Sequence, residues 1–577
     1  MKSAMLGVSL LASALHAQTA DLIVTGARVW TGDSTRPRAE AIAVAGDRVV
    51  GVGTRQEIAR FRGPRTRTMN LPGRFIAPGF IDNHTHFERA GALITGVNLL
   101  DVADERGLAR RVREARDRLP RGAWLTGGEW GAYEEWAMGS TGSNDSTRKA
   151  AFSPVRRMID SLTPETPALL NKWDRSAFLA NAKALALAGA SCDWPGVECL
   201  NGAMTGRLDA PAADRVRRVI PPKAIAQRLV ESRAGLHHLN AFGVTGIHDI
   251  TSPEQLAVFQ ELRRQGHLSL RVYARPTLDK VESLRAVGIR HGFGDEWIRI
   301  GGLKGFVDGI MGNSSARFHE PYLTTGKLGD WRTMMEPAGN MERLLFIADS
   351  SGHWPQVHAI GDFAIDTLLT LFEKVMTTNG PADRRWRMIH TQVIRGPEVA
   401  QKLARLGVIA EVQPYHAIDD MRWMEPRIGE RSRWAYAFRT LQDAGVRVSF
   451  GSDWPGTNAA WYTANPLLGM YAATTRQTLD GKPMEGWFPM ERVSLETALR
   501  AYTVNNAFAA NEESLKGRLA PGLLADFVVV DADPFAGPPR ALKERKVLLT
   551  VVGGRVVFDA ARDKPAYDPA VAAPVVP

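Results

Sequence analysis

Short apolar runs recur along this chain, and many are separated by stretches whose apolar positions repeat at helical spacing. Side chains alternate between faces along a strand, so a run of about four to eight β-formers bounded by turn residues predicts a strand. Eight such runs stand at 75–83, 244–250, 268–275, 298–307, 354–360, 386–391, 408–413 and 446–453. Helical patterns lie between many of them, as at 105–119 and 397–406. Strand followed by helix, repeated from residue 76 to about 511, predicts an α/β fold. Eight strands suit a (β/α)8 barrel. The alternation fails between about 124 and 220, a part rich in Gly, Ser, Trp and Pro, which reads as an insertion after the first barrel unit.

Both ends carry a different pattern. Residues 21–52 alternate apolar and polar positions, and Gly46-Asp47 marks a hairpin. Residues 525–531 and 547–558 read as further strands, with Gly553-Gly554 as a turn. Segments 21–75 and 512–577 therefore predict one small β domain built from both ends, around a long α/β region at 76–511.

Composition narrows the class. Hydrophobic residues make up 44% of the 577 and charged residues 23%, ordinary values for a globular protein. The formal net charge is +10, but the basic residues are scattered and lack the aromatic interleaving of a nucleic-acid groove, so no nucleic-acid partner is expected. Lys2 followed by an apolar run over 5–15 predicts a signal peptide over 1–20, cleaved near Ala14 or Ala17. Export to a periplasm or the medium is expected, with no membrane insertion after signal removal. In such a compartment Cys192 and Cys199 are candidates for a disulfide closing a Pro-Gly loop, free thiols being the alternative.

Candidate chemistry sits at strand ends. His84 and His86 end the run at 75–83, and residues two apart in a strand point the same way, so both imidazoles can reach one metal ion. Two ligands do not complete a site. Lys304, His358, His390 and Asp453 follow, each within or after a later β-rich run. Barrel enzymes place their sites at strand C-terminal ends.

Taken together these features resemble the amidohydrolase superfamily, and within it the amidohydrolase family 3 proteins of the YtcJ and N-substituted formamide deformylase type. The marks are the strand carrying His84 and His86, the segment Lys304 to Tyr322, and Val357-His358-Ala359-Ile360-Gly361-Asp362. Gln413-Pro414-Tyr415-His416-Ala417, Phe450-Gly451-Ser452-Asp453-Trp454-Pro455 and the stretch 517–526 complete them. The resemblance implies a (β/α)8 barrel inserted into a β-sandwich. It implies a hydrolase acting on a non-peptide carbon–nitrogen bond of a small-molecule amide, N-acyl or cyclic amide through a metal-activated hydroxide. His84, His86 and Asp453 would hold one metal, and His358 and His390 a second. Lys304, carboxylated on its amine, would bridge them, while Asp453 moves the proton. Zinc suits these ligands, and manganese, iron or nickel also fit their types. A single metal beside an unmodified Lys304 is the alternative. So are an esterase or lactonase using the same centre, and a non-catalytic metal- or ligand-binding protein. A homodimer is compatible with the family.

Weaker candidates concern the substrate. His416 is placed to donate to a substrate carbonyl, and Arg317 to meet an anionic group. Trp454 and Trp173, with Trp124, Trp130, Trp136 and Trp461, suggest an aromatic-lined pocket. His248 reads as structural. Two departures stand out: Trp173-Asp174-Arg175-Ser176 lies where the family often has Asp-Gly-His, and Ile389 stands where Glu often precedes the last histidine. Both touch the substrate pocket and leave the six metal-ligating types intact.

Overall fold

The computed structural model describes residues 19–99, 102, 104–119, 122–131, 152–173, 175–456 and 464–563. The expected signal therefore lies outside the described residues, apart from its last two positions. Parallel strands follow the repeating pattern. Phe80–Thr85 (β1), Val244–Ile250 (β2), Arg271–Arg275 (β3) and Ile298–Ile300 (β4) form one parallel sheet. Leu303–Phe306 (β5), Pro355–Ala359 (β6), Arg387–His390 (β7), Ile409–Val412 (β8) and Val448–Phe450 (β9) form a second, in sequential order. Isolated parallel bridges Thr85↔Trp454 and Thr277↔Lys304 link the first sheet to the second at both seams.

Two expected strands are each broken by glycine. The run at 298–307 divides at Gly301-Gly302, where the chain leaves β3 and begins to pair with β6. A Cβ on Gly301 would lie 2.1 Å from Tyr273, and one on Gly302 2.1 Å from Gln356. The run at 75–83 divides at Gly79. Phe75–Pro78 pairs with Phe527–Val530 and Leu22–Trp30, whereas β1 pairs with β2. One extended segment thus passes from one sheet into another.

That terminal sheet takes strands from both chain ends, in the order Arg555–Asp559, Val547–Val552, Phe527–Val530, Phe75–Pro78, Leu22–Trp30, Arg38–Ala45, Arg48–Gly53, with Arg67–Asn70 beside Leu22–Trp30. The Arg271 guanidinium at the start of β3 donates to both carboxylate oxygens of Asp526, at 2.5 and 2.9 Å, with both side chains buried. This ion pair ties the terminal sheet to the parallel strands.

The stretch expected as an irregular insertion holds a six-stranded sheet whose first strand, Val97–Asn98, begins well before residue 124. Helix Glu105–Arg118, expected as a barrel helix, packs Leu108, Val112 and Ala115 against this sheet's Leu125, Ala168 and Leu170. Gly127 and Gly128, at φ 88° and 97°, interrupt the period that would have revealed the strand Leu125–Trp130. Cys192 and Cys199 form a disulfide here, with Cα atoms 5.9 Å apart.

Period-two alternation in the parallel strands positions the site. Val272, Ala274, Val357, Ala359, Met388, Ala410 and Val412 pack into the apolar cores with the flanking helices. Their neighbours Arg271, Tyr273, Arg275, Gln356, His358, Arg387 and Glu411 point to the other face and are buried there. Among the described residues, no helix is long and apolar enough to cross a membrane.

Candidate metal centre

His84 lies near the end of β1, and His86 caps the helix Phe87–Thr95 that follows. Asp453 lies three residues beyond β9. The His84 Nε2 atom is 3.4 Å from Asp453 Oδ1, and His86 Nε2 is 3.0 Å from the same oxygen. Backbone bonds lace the two segments. Asp453 N–H donates to His84 O and His86 N–H to Trp454 O, both at 2.8 Å. Asp453 and His390 adopt φ of 59° and 72°, a left-handed conformation that side chains rarely take and that clusters at functional sites. His84 and Asp453 are buried, while the His86 side chain is 25% exposed, so the opening lies on its side.

Three further expected residues surround this group. The His390 ring lies 5.3 Å from His84 and 4.6 Å from His358, centroid to centroid. His390 Nδ1 is 2.7 Å from Gln413 Oε1, and His358 Nε2 is 2.8 Å from Gly309 O. Both oxygens accept, so the protons sit on those nitrogens and leave His390 Nε2 and His358 Nδ1 as free lone pairs. Lys304, on β5, is fully buried, and its Nζ has no hydrogen-bond partner among the described residues. The same is true of His84 Nε2.

Burial dominates the electrostatics. It pushes His84, His86 and His390 below the ordinary imidazole range. It pushes the Lys304 amine down to about 7, with Arg275 adding to the effect. Burial alone would raise the Asp453 carboxyl. The hydrogen bond from His86 leads the effects that instead hold it well below the usual carboxylate range. Neutral imidazoles beside an ionised carboxylate are what a divalent cation requires. The ligand atoms of His84, His86 and Asp453 all lie within 4.8 Å of one another. With an unpartnered buried nitrogen among them, this donor set fits a metal.

Of the substrate candidates, His416 is buried in the helix Pro414–Asp420 within electrostatic reach of Asp453. The others are placed differently. Trp454 is fully buried and stacks on His238 at 5.1 Å, so it belongs to the core. Arg317 lies over Trp331 and donates to Gly329 O, which commits its guanidinium to a loop. Trp173 and Trp130 are buried, and Trp124 lines a cavity of about 540 Å³ that none of the candidate ligands reaches. Trp136 and Trp461 lie outside the described residues. His248 is structural, accepting from Arg387 at 2.7 Å. Sequence reading missed the Arg89–Glu129 pair, whose arginine follows His86 by one helical turn and donates to Gly456 O at 2.6 Å. It also missed Glu411, whose one signal is a charged residue inside the apolar strand β8.

Comparison with known proteins identifies the family. The chain is 30% identical over 562 residues to Protein LONG AFTER FAR-RED 3 of Arabidopsis thaliana, covering 93% of this chain and 92% of that protein. It is 27% identical over 567 residues to the N-substituted formamide deformylase of Arthrobacter pascens, covering 94% and 99%. An uncharacterized metal-dependent hydrolase from Pyrococcus furiosus has the same fold, with a TM-score of 0.72 at 24% identity over 89% of this chain and 99% of that one. A profile of the amidohydrolase family matches residues 67–558, most of the sequence, and the chain belongs to that family.

Proposed function

We propose that this protein is a metal-dependent hydrolase of a carbon–nitrogen bond in a non-peptide amide, N-acyl compound or cyclic amide. The convergence of His84, His86 and Asp453 carries the reading. Similarity to a deformylase over nearly the whole chain supports the choice of bond. A divalent cation, zinc by the ligand types, would lower the pKa of water from about 15.7 towards 7 and polarise a carbonyl oxygen. The protein's own residues do the rest. Asp453, held ionised against its burial with the hydrogen bond from His86 as the leading cause, accepts the proton of the attacking water. It then returns that proton to the leaving nitrogen. His416, buried on the helix after β8 within electrostatic reach of Asp453, would donate to the substrate carbonyl oxygen.

Lys304 supports a second cation. A buried amine with no hydrogen-bond partner among the described residues is costly. One whose pKa is pushed down to about 7 is about half neutral at that pH, and the neutral amine is the form that reacts with carbon dioxide. The resulting carbamate would supply oxygen ligands to the cation held by His84, His86 and Asp453 and to the one held by His358 and His390. We further propose that the two parallel sheets close into one (β/α)8 barrel, which the two seam bridges support. The terminal strands would form its companion β-sandwich. Export through a cleaved signal is consistent with the disulfide, and N-terminal sequencing of the mature protein would check it.

The test pairs metal content and intact mass with turnover. The protein should carry two metals per chain and a Lys304 heavier by one carbon dioxide, and should hydrolyse members of a panel of formamides, N-acyl amines and lactams faster than matched esters. Asp453→Asn should lower kcat by about 10²–10⁴-fold. Undiminished turnover in that variant would remove the mechanism. Ester preference would favour the esterase reading, and absence of all turnover in the metal-loaded protein a binding role.

A further inference from the structure

The buried charge beneath the site points beyond the metal ligands themselves. Glu411 lies in the middle of β8, fully buried, with its Oε1 atom 2.8 Å from His84 Nδ1. Arg275 donates to Oε1 at 2.8 Å, and Arg387 to Oε2 at 3.0 Å. Both arginines are themselves fully buried. The two cations are anchored in turn. Arg275 donates to His248 O and Arg387 to Ala509 O, each at 2.7 Å. Two guanidinium groups thus hold one carboxylate against the outer nitrogen of one candidate ligand.

We propose that Glu411 is the positioning residue that selects the tautomer of His84, and so makes His84 Nε2 a metal ligand; the inference rests on the metal-centre reading above. A carboxylate only accepts, so the 2.8 Å contact requires a proton on Nδ1. That leaves the lone pair on Nε2, the atom that faces Asp453 and has no hydrogen-bond partner among the described residues. The competing arrangement is visible in the same geometry. Arg275 Nη2 lies 3.2 Å from His84 Nδ1 and, were it the donor, would force the proton onto Nε2 and disable the ligand. Its nearer acceptor is His248 O, and the carboxylate is closer to Nδ1 than the guanidinium is. Glu411 therefore decides the contest, and the alternation of β8 is what delivers it: Ala410 and Val412 pack outward, and Glu411 is left facing His84.

Two measurements test this. In metal-free wild-type protein labelled with ¹⁵N-histidine, with His84 identified by the signals lost in His84→Gln, the ring should carry its proton on Nδ1. A proton on Nε2 would overturn the proposal, and this arm needs no change at Glu411. The second arm titrates zinc alone against a chromophoric chelator. Glu411→Gln should bind zinc about 10–100-fold more weakly than wild type while keeping its far-ultraviolet circular dichroism. In a His84→Ala background, which keeps His86 and Asp453, the same change should cost nothing further. An equal loss in both backgrounds would make Glu411 merely structural and overturn the proposal. Unchanged affinity in Glu411→Gln would sink this inference alone, whereas a wild-type protein that binds no zinc would sink the metal reading and this one with it.

Discussion

At the residue scale, exclusion of water sets the charges of this site. His84, His86 and His390 are kept neutral by burial, the form a metal needs, while Asp453 stays ionised against its own burial, with the hydrogen bond from His86 the leading cause. The same burial acts on His238, which packs against Trp454 and whose pKa falls to about 3. In the unfolded chain its ordinary value is 6.5. Below that pH the unfolded state takes up a proton that the folded state refuses until about 3, so stability is lost as pH falls through this window, by roughly 1.4 kcal/mol per pH unit. Buried Asp82 and Asp249, raised to about 7, act in the opposite direction, so the whole-protein curve mixes the two. Comparison with His238→Asn isolates the histidine. Between pH 6.5 and 5 the wild type should lose roughly 2 kcal/mol relative to the variant, read from urea unfolding of metal-free protein. A pH-independent difference would mean that His238 is not held neutral.

At the element scale, glycines decide where strands change partners. Gly79 ends pairing with the terminal sheet and begins β1, and a Cβ there would lie 2.2 Å from Thr245 Oγ1 and 2.3 Å from its Cγ2. Gly79→Ala should cost about 1–3 kcal/mol of unfolding free energy, measured from the denaturant midpoint. In a Thr245→Ala background the cost should shrink, because the two nearest atoms are gone; an undiminished cost would place the strain elsewhere. The apolar runs at 75–83 and 298–307 were legible as β structure. Their division was not, because an apolar run carries no mark of which neighbour it pairs with. The insertion hid its sheet for a related reason: its strands are short and glycine breaks their alternation.

At the scale of the whole molecule, two chain ends some 450 residues apart meet in one sheet, and that sheet is fastened to the parallel strands by Arg271 and Asp526. The Asp526 carboxylate also accepts from Gly553 N–H at 2.8 Å. Removing one partner of a buried pair leaves the other charge uncompensated. Asp526→Ala should therefore cost about 3–5 kcal/mol and lower the melting temperature. Arg271→Met with Asp526→Leu, which removes both charges, should recover much of the loss. If the double variant were no more stable than the single one, packing rather than charge would be the cause.

The chain alone determined the repeating strand–helix order and the residue types that gather at strand ends, because side-chain alternation and apolar periodicity are local properties. His84 and His86 were readable as a pair, since two residues of separation in a strand suffice to align them. Tertiary structure decided the rest. Trp454, adjacent to Asp453 in sequence, turned into the core, and Arg317 was claimed by Trp331 and Gly329 O. Glu411, more than 300 residues from His84, became its hydrogen-bond partner. Spacing along a chain constrains only residues that share an element. Which distant side chains face one another depends on sheet register and on where each helix lies, and those follow from packing of the whole.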